Sequence, residues 1–224
     1  MKSQKLLFII LLLPLCLSAK REYQSPHPLK YNTQTTYENR TFKTTSSFTV
    51  KAPYSTANKV MEKFILDLDR DPYSLFNNML KGMGDEPASS TASNSKQSSG
   101  KFSIEIKSCV FDTAHNYYIG KLDFHIGKAV IEDITLYGRI TKHYHKDYAV
   151  FTFELLNNPV AKKAQGIIVV KHLGENLTKA ELTAEFQFSW FLNIFFSTKN
   201  YKDVAEWRLD KFMQNFNEEI LKRK

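Results

Sequence analysis

The strongest constraint on this chain is a change of period along it. From Lys101 to about Phe196 apolar residues recur at every second position, and from Asn200 to Lys222 they recur at every third or fourth. A period of two belongs to strands with one buried face, and a period near 3.6 to a helix with one buried stripe. In the first part, Phe102, Ile104, Ile106, Ser108 and Val110 alternate with polar neighbours, as do Tyr118, Gly120, Leu122, Phe124 and Ile126. Val130 to Tyr144 carries Ile134, Leu136, Gly138 and Ile140 on one face. Tyr148 to Leu156, Gln165 to His172 and Leu177 to Phe191 complete six predicted strands, the last with Leu182, Ala184, Phe186, Phe188 and Trp190 on its apolar side. Gly127-Lys128, Lys146-Asp147, Asn157-Asn158-Pro159 and Gly174-Glu175-Asn176 mark tight connections between them. Such short connections require an antiparallel meander.

Before this block, Phe42, Thr44, Ser46, Phe48 and Val50 form one more alternating strand, ended at Ala52-Pro53. Ala57, Val60, Met61, Phe64 and Leu68 then predict a helix, with Ser55 or Thr56 as its cap and Asp71-Pro72 as its stop. Tyr73, Leu75, Phe76, Met79 and Leu80 predict a second short helix, ended by Gly82 and Gly84. Residues 85–100 are Ser-rich and read as a flexible loop. One strand and two short helices are too little to bury a core, so this loop interrupts a single domain spanning 42–222. Residues 20–41, polar and with Pro26 and Pro28, read as an extended arm. In the final helix, Ala205, Leu209, Phe212, Met213, Phe216 and Ile220 share one arc, and Trp207 and Leu221 lie opposite it as a possible seat for the arm's Tyr23, Leu29 and Tyr31.

The fold class expected is α+β, in the order β-α-α-β-β-β-β-β-β-α. A seven-stranded sheet must cover one face, and the long helix with its aromatic stripe supplies the cover. This order, with the run Phe48-Thr49-Val50-Lys51-Ala52-Pro53 leading from first strand to first helix, resembles the helix-grip superfamily of START-related lipid-transfer, polyketide cyclase-like and pollen-allergen-like domains. The resemblance implies a curved sheet wrapped around the terminal helix, with an apolar cavity between them for a lipid or another hydrophobic small molecule. On the sheet, its expected lining is Leu122, Phe124, Ile134, Leu136, Phe186, Phe188 and Trp190. On the helix it is Leu209, Phe212, Met213 and Phe216. The same apolar pattern also suits a filled core, because both need identical periodicity. The aromatic run Trp190 to Phe196 reads as a strand end packed on the short helices, or as an apolar rim.

The first 19 residues carry Lys2 and Lys5, the 12-residue apolar run Leu6–Leu17 and small residues at Ser18-Ala19. That is the pattern of a secretory signal peptide, and it predicts an exported, soluble protein, periplasmic or extracellular in a bacterium and carried by the secretory pathway in a eukaryote. Leu15 before Cys16 does not fit a lipid-attachment site. Without the leader's two lysines the formal charge of +8 falls to +6. In an exported protein this excess suits solubility or a weak contact with an anionic membrane surface, and not nucleic acid.

Little in the chain points to chemistry. No nucleotide-binding, metal or hydrolase motif is present, so no cofactor, metal or catalytic residue is assigned. The mature chain keeps one cysteine, Cys109, expected opposite the core face and inert. His143 and His145 share a strand side but have no third ligand in the pattern, and His115 and His125 read as surface residues. Asp133 and Arg139 alternate against the apolar face, which leaves Glu132 and Glu154 as the central-strand carboxylates open to an acid-base role. The function expected is therefore binding of a hydrophobic small molecule or lipid without catalysis. The alternatives are an envelope structural or interaction protein with a filled core and, third, a cyclase-like enzyme. Oligomeric state is open.

Overall fold

A computed structural model describes residues 29–73, 102–126, 129–156, 161–189 and 198–223. The second short helix beyond Tyr73, the Ser-rich stretch, the leader and the run Trp190 to Phe196 all lie outside the described residues. Eight strands form one antiparallel sheet. They are β1 (Gln34–Glu38), β2 (Thr41–Val50), β3 (Phe102–Asp112), β4 (Tyr117–Ile126), β5 (Ala129–Tyr144), β6 (Tyr148–Leu156), β7 (Ala161–Gly174) and β8 (Leu177–Phe188). Helix α1 (Tyr54–Arg70) follows β2, and α2 (Thr198–Leu221) ends the chain. The strand order is β1-β2-β8-β7-β6-β5-β4-β3, so β3 to β8 run as a meander whose last strand returns to pair with β2. This is the helix-grip arrangement, with one strand more than the seven expected. The extra strand is β1. It lies in the stretch read as an extended arm, whose five residues QTTYE carry no apolar alternation. Pairing with β2 creates it, from Gln34↔Thr45 to Glu38↔Thr41.

Period two holds where the ladder is regular. Phe42, Thr44, Ser46, Phe48 and Val50 of β2 are all buried, as is every second residue of β8 from Thr178 to Phe188. It fails at bulges. A shift between Ile106 and Ser108 puts an extra residue into β3 and reverses the parity beyond it. Cys109 therefore turns onto the core face and is buried, which corrects its expected outward position, while Val110 points outward at 54% exposure. A second shift, between Leu122 and Phe124, sets Glu132 and Asp133 against the single Asp123, one extra residue on β5. Asp133 has φ 57 there, and its amide donates to the buried carboxylate of Asp123 at 3.0 Å.

Helix α1 starts at Tyr54 with Pro53 as N-cap, extended at φ −61, ψ 144 and without a side-chain cap. Ser55 and Thr56 fall inside its first turn, because proline already holds the backbone angle that an N-cap needs. The helix stops at Asp71, before Pro72, as expected. It buries Ala57, Val60, Met61, Phe64, Ile65 and Leu68 against β7, β8 and α2. Helix α2 lies over β1 and β2 and touches α1. Its predicted stripe, Ala205, Leu209, Phe212, Met213, Phe216 and Ile220, is buried throughout. None of the described helices is long and apolar enough to cross a membrane.

Candidate functional site

The inner face of the sheet and the stripe of α2 meet as interlocked aromatic rings. Tyr201 sits 3.9 Å from Phe42, centroid to centroid, and 5.9 Å from Phe186. Phe186 and Phe188 pack edge-on at 4.8 Å, and Phe48 meets Phe216 edge-on at 5.7 Å. Phe212 stacks on Phe216 at 6.2 Å and meets Phe64 of α1 edge-on at 6.5 Å. Of the expected lining residues, Phe186, Phe188, Leu209, Phe212, Met213 and Phe216 are thereby brought together. Leu122, Ile134 and Leu136 are buried too, but on β4 and β5, toward the opposite edge of the sheet from β1 and β2. The side chain of Phe124 and the whole of Trp190 lie outside the described residues.

Two buried tyrosines belong to this interior and were not among the expected lining residues. Tyr201 is 4% exposed, and burial pushes its hydroxyl well above the usual phenol range. It lies four residues before Ala205 on the same helical arc, so extending the stripe one turn back would have found it. Tyr118, 2% exposed, donates a hydrogen bond to Asp69 at the end of α1. Burial first, and the neighbouring carboxylate second, push its pKa up as well. It is a polar pair at the inner face, and nothing in the period of β4 signals it, because the partner is 49 residues away.

The carboxylates weighed for acid-base work point elsewhere. Glu132 is exposed. Glu154 lies on the outer face of β6, directly across from Arg139 on β5, and accepts from Arg139 Nη2 at 2.6 Å and Nε at 2.8 Å. The guanidinium stays charged, its pKa raised by that carboxylate. Asp133 is exposed, as expected. His143 and His145 are exposed, and His145 stacks on Tyr148 at 4.2 Å. His125 is half-buried and belongs to a group the spacing did not predict. Its ring, Glu105 and Asp123 bring ligand-type atoms within 4.8 Å of one another. The Lys107 ammonium occupies that group, 3.1 Å from Glu105 and 3.0 Å from Asp123. The Asp133 amide and Lys107 together hold the Asp123 carboxyl below the usual carboxylate range. The cluster thus carries its own cation.

Burial pushes the Cys109 thiol up to about 12. A thiol that high is protonated at neutral pH, and only a thiolate is a nucleophile. Cys109 is therefore expected to stay unmodified by Ellman's reagent in the folded protein, with no gain in rate between pH 7 and pH 9, and to react fully in denaturant. Fast reaction of the folded protein would contradict this burial.

A groove of about 550 Å³ lies on the opposite, outer face of the sheet, across β2, β8 and β7. Its floor is Ile167 and Val169, and its sides include Lys43, Thr45, Glu181 and Thr183. Glu181 is already paired with Lys179 at 2.7 Å and with Lys171, and these two lysines lower its pKa.

No protein-family profile matches the chain, and no curated protein matches it. Solved structures do. A START superfamily protein from Mycobacterium smegmatis is 9% identical with a TM-score of 0.45, over 81% of this chain and 99% of that one. The Zhui aromatase/cyclase from Streptomyces sp. R1128 is 13% identical with a TM-score of 0.42, over 82% and 95% of the two chains. A norcoclaurine synthase mutant from Thalictrum flavum, in complex with a transition-state analogue, is 10% identical with a TM-score of 0.39, over 84% and 97%.

Proposed function

We propose that this chain is an exported protein that holds a lipid or another hydrophobic small molecule on the inner face of its sheet, and does no chemistry on it. The observation that carries this reading is the extent of the apolar inner face. It runs across the sheet, while α2 and α1 seat chiefly over β1, β2, β7 and β8. Leu122, Ile134, Leu136, Ile140 and Phe153 make an apolar wall on β4, β5 and β6, away from the aromatic stripe of α2. A wall of this kind suits a guest that needs shape and apolar contact more than hydrogen bonds. Tyr118, on β4 with Leu122 and with its hydroxyl held by Asp69, offers a polar group for the guest's head. The outward position of Glu132 and Glu154 supports binding without acid-base work. The leader pattern supports export, and the net positive charge supports a weak contact with an anionic membrane surface.

A second reading, a filled core serving an interaction protein, is favoured by the tightness of the aromatic seam, where Met213 is 0% and Phe186 1% exposed.

One experiment separates the two. The protein purified from its native host is extracted with organic solvent and the extract examined by mass spectrometry, and the delipidated protein is titrated with fatty acids and sterols in thermal unfolding. The carrier reading expects a stoichiometric co-purified lipid and a rise in Tm that grows with added ligand. Absence of both would leave the filled-core reading.

A further inference from the structure

The seam between α2 and the β1–β2 edge is built differently from the rest of the core. Seven polar or charged residues are buried among those described, and five of them, Thr33, Thr35, Thr44, Ser46 and Asp210, lie here. Asp210 on α2 is 1% exposed and receives the arm. Its Oδ2 accepts from the Lys30 amide at 2.8 Å and from Gln214 Nε2 at 2.6 Å. Its Oδ1 accepts from the Tyr31 amide at 2.8 Å and the Thr33 hydroxyl at 2.9 Å, and Thr33 Oγ1 also lies 2.8 Å from Ser46 Oγ. One turn earlier, Glu206 accepts from the Thr35 amide at 2.6 Å, and Thr35 Oγ1 meets Thr44 Oγ1 at 2.9 Å. The Tyr31 ring lies 5.4 Å from Phe48, and its hydroxyl accepts from Asn217 Nδ2 at 2.8 Å. The arm, bent at Lys30-Tyr31 and extended from Gln34, is thus held through its main-chain amides, two small hydroxyls and one aromatic anchor.

Two residues join this peptide to its own groove. Glu38 pairs with Thr41, so Asn39 and Arg40 alone make the hairpin turn, at φ 50 and φ 62. A two-residue hairpin needs both residues left-handed, which suits Asn-Gly. Asparagine tolerates that region, but arginine carries a Cβ and is strained there. Straightening the turn into continuous strand removes the strain and takes the arm away from its own groove. The same contacts then form only with another copy. A short, strained hinge attached to a self-complementary segment is the arrangement from which chains exchange arms.

We propose that the groove formed by α2 and β2 takes the arm of a second copy of this chain, giving a reciprocal arm-swapped dimer with Asn39-Arg40 as the hinge. The contacts at Asp210, Glu206, Ser46 and Thr44 are the same in the closed chain and in the dimer, so the relief of Arg40 favours the exchange.

The test uses two variants of the full chain in a Cys16→Ser background, one carrying Thr33→Cys and the other Ser46→Cys. They are mixed, opened in mild denaturant, diluted together and oxidised. The proposal expects a disulfide-linked pair of one chain of each kind on a non-reducing gel. Adding Arg40→Gly, which relaxes the turn, reduces the linked pair by about fivefold per hinge. A chain carrying both cysteines that closes its own disulfide, while the mixed single variants give no linked pair, overturns the proposal. Asn39→Pro gives an independent reading, because proline cannot adopt a positive φ. By light scattering this variant should be a dimer with the amides of Lys30, Tyr31 and Thr35 protected from exchange, and a monomer with these amides unprotected overturns the proposal as well.

Discussion

Replacement of Phe186 by alanine should lower the free energy of unfolding by about 3–5 kcal/mol, the range for deleting a large buried aromatic ring. Phe186 is 1% exposed and sits where β8 meets both β2 and β7, paired with Phe42 on one side and Ala164 on the other. Its ring also contacts Phe188 and Tyr201, so its removal leaves a hole between sheet and α2 that backbone on three strands cannot close. Urea unfolding followed by circular dichroism gives the value. A loss below about 1 kcal/mol would mean that the seam repacks freely.

Asp210→Ala should cost roughly 2–4 kcal/mol, by a different route. The alanine removes no large apolar group. It leaves the amides of Lys30 and Tyr31 facing a site with no acceptor, while the Thr33 hydroxyl keeps only Ser46. Buried donors without partners carry their full desolvation penalty. The consequence is local as well. Hydrogen exchange at Lys30, Tyr31 and Thr35 should rise strongly, while amides in β6 and β7 keep their protection. Asp210→Asn should fall between wild type and alanine, since it keeps one carbonyl oxygen but turns an amide donor toward the arm. Equal exchange at arm and core in the alanine variant would show that the arm does not depend on this carboxylate.

How much of this was legible beforehand depends on the range of the forces involved. The faces of β2, β8 and α2 follow from period alone, since each is regular and each buries one side. Alternation alone puts Cys109 and Val110 on the wrong faces, because one extra residue near Lys107 reverses it and a bulge leaves no mark in an apolar pattern. Gln34–Glu38 alternates nothing apolar and so reads as an arm, and the order of β1 comes from a partner strand and from α2. The Asp210 clamp was missed for the same reason. An aspartate in a helix reads as solvated surface until something covers it, and its partners lie about 180 residues away. Tyr31 is expected on α2, and its hydroxyl meets Asn217 there while its ring packs on Phe48 of β2. The period of α2 points to an apolar seat, and it carries no sign of the carboxylate that holds the arm's main-chain amides.

By itself, then, the amino-acid order determined most of the strands and both described helices, which face of most of them is apolar, and that a long aromatic helix packs on an antiparallel sheet. Those properties arise within a few residues, from side-chain spacing and turn chemistry. Only the tertiary structure decided the eighth strand, the parity beyond each bulge, the Tyr118–Asp69 pair and the buried carboxylate that holds the arm. Each of these is a contact between distant segments, and its free energy exists only once chain closure has brought the partners out of water together.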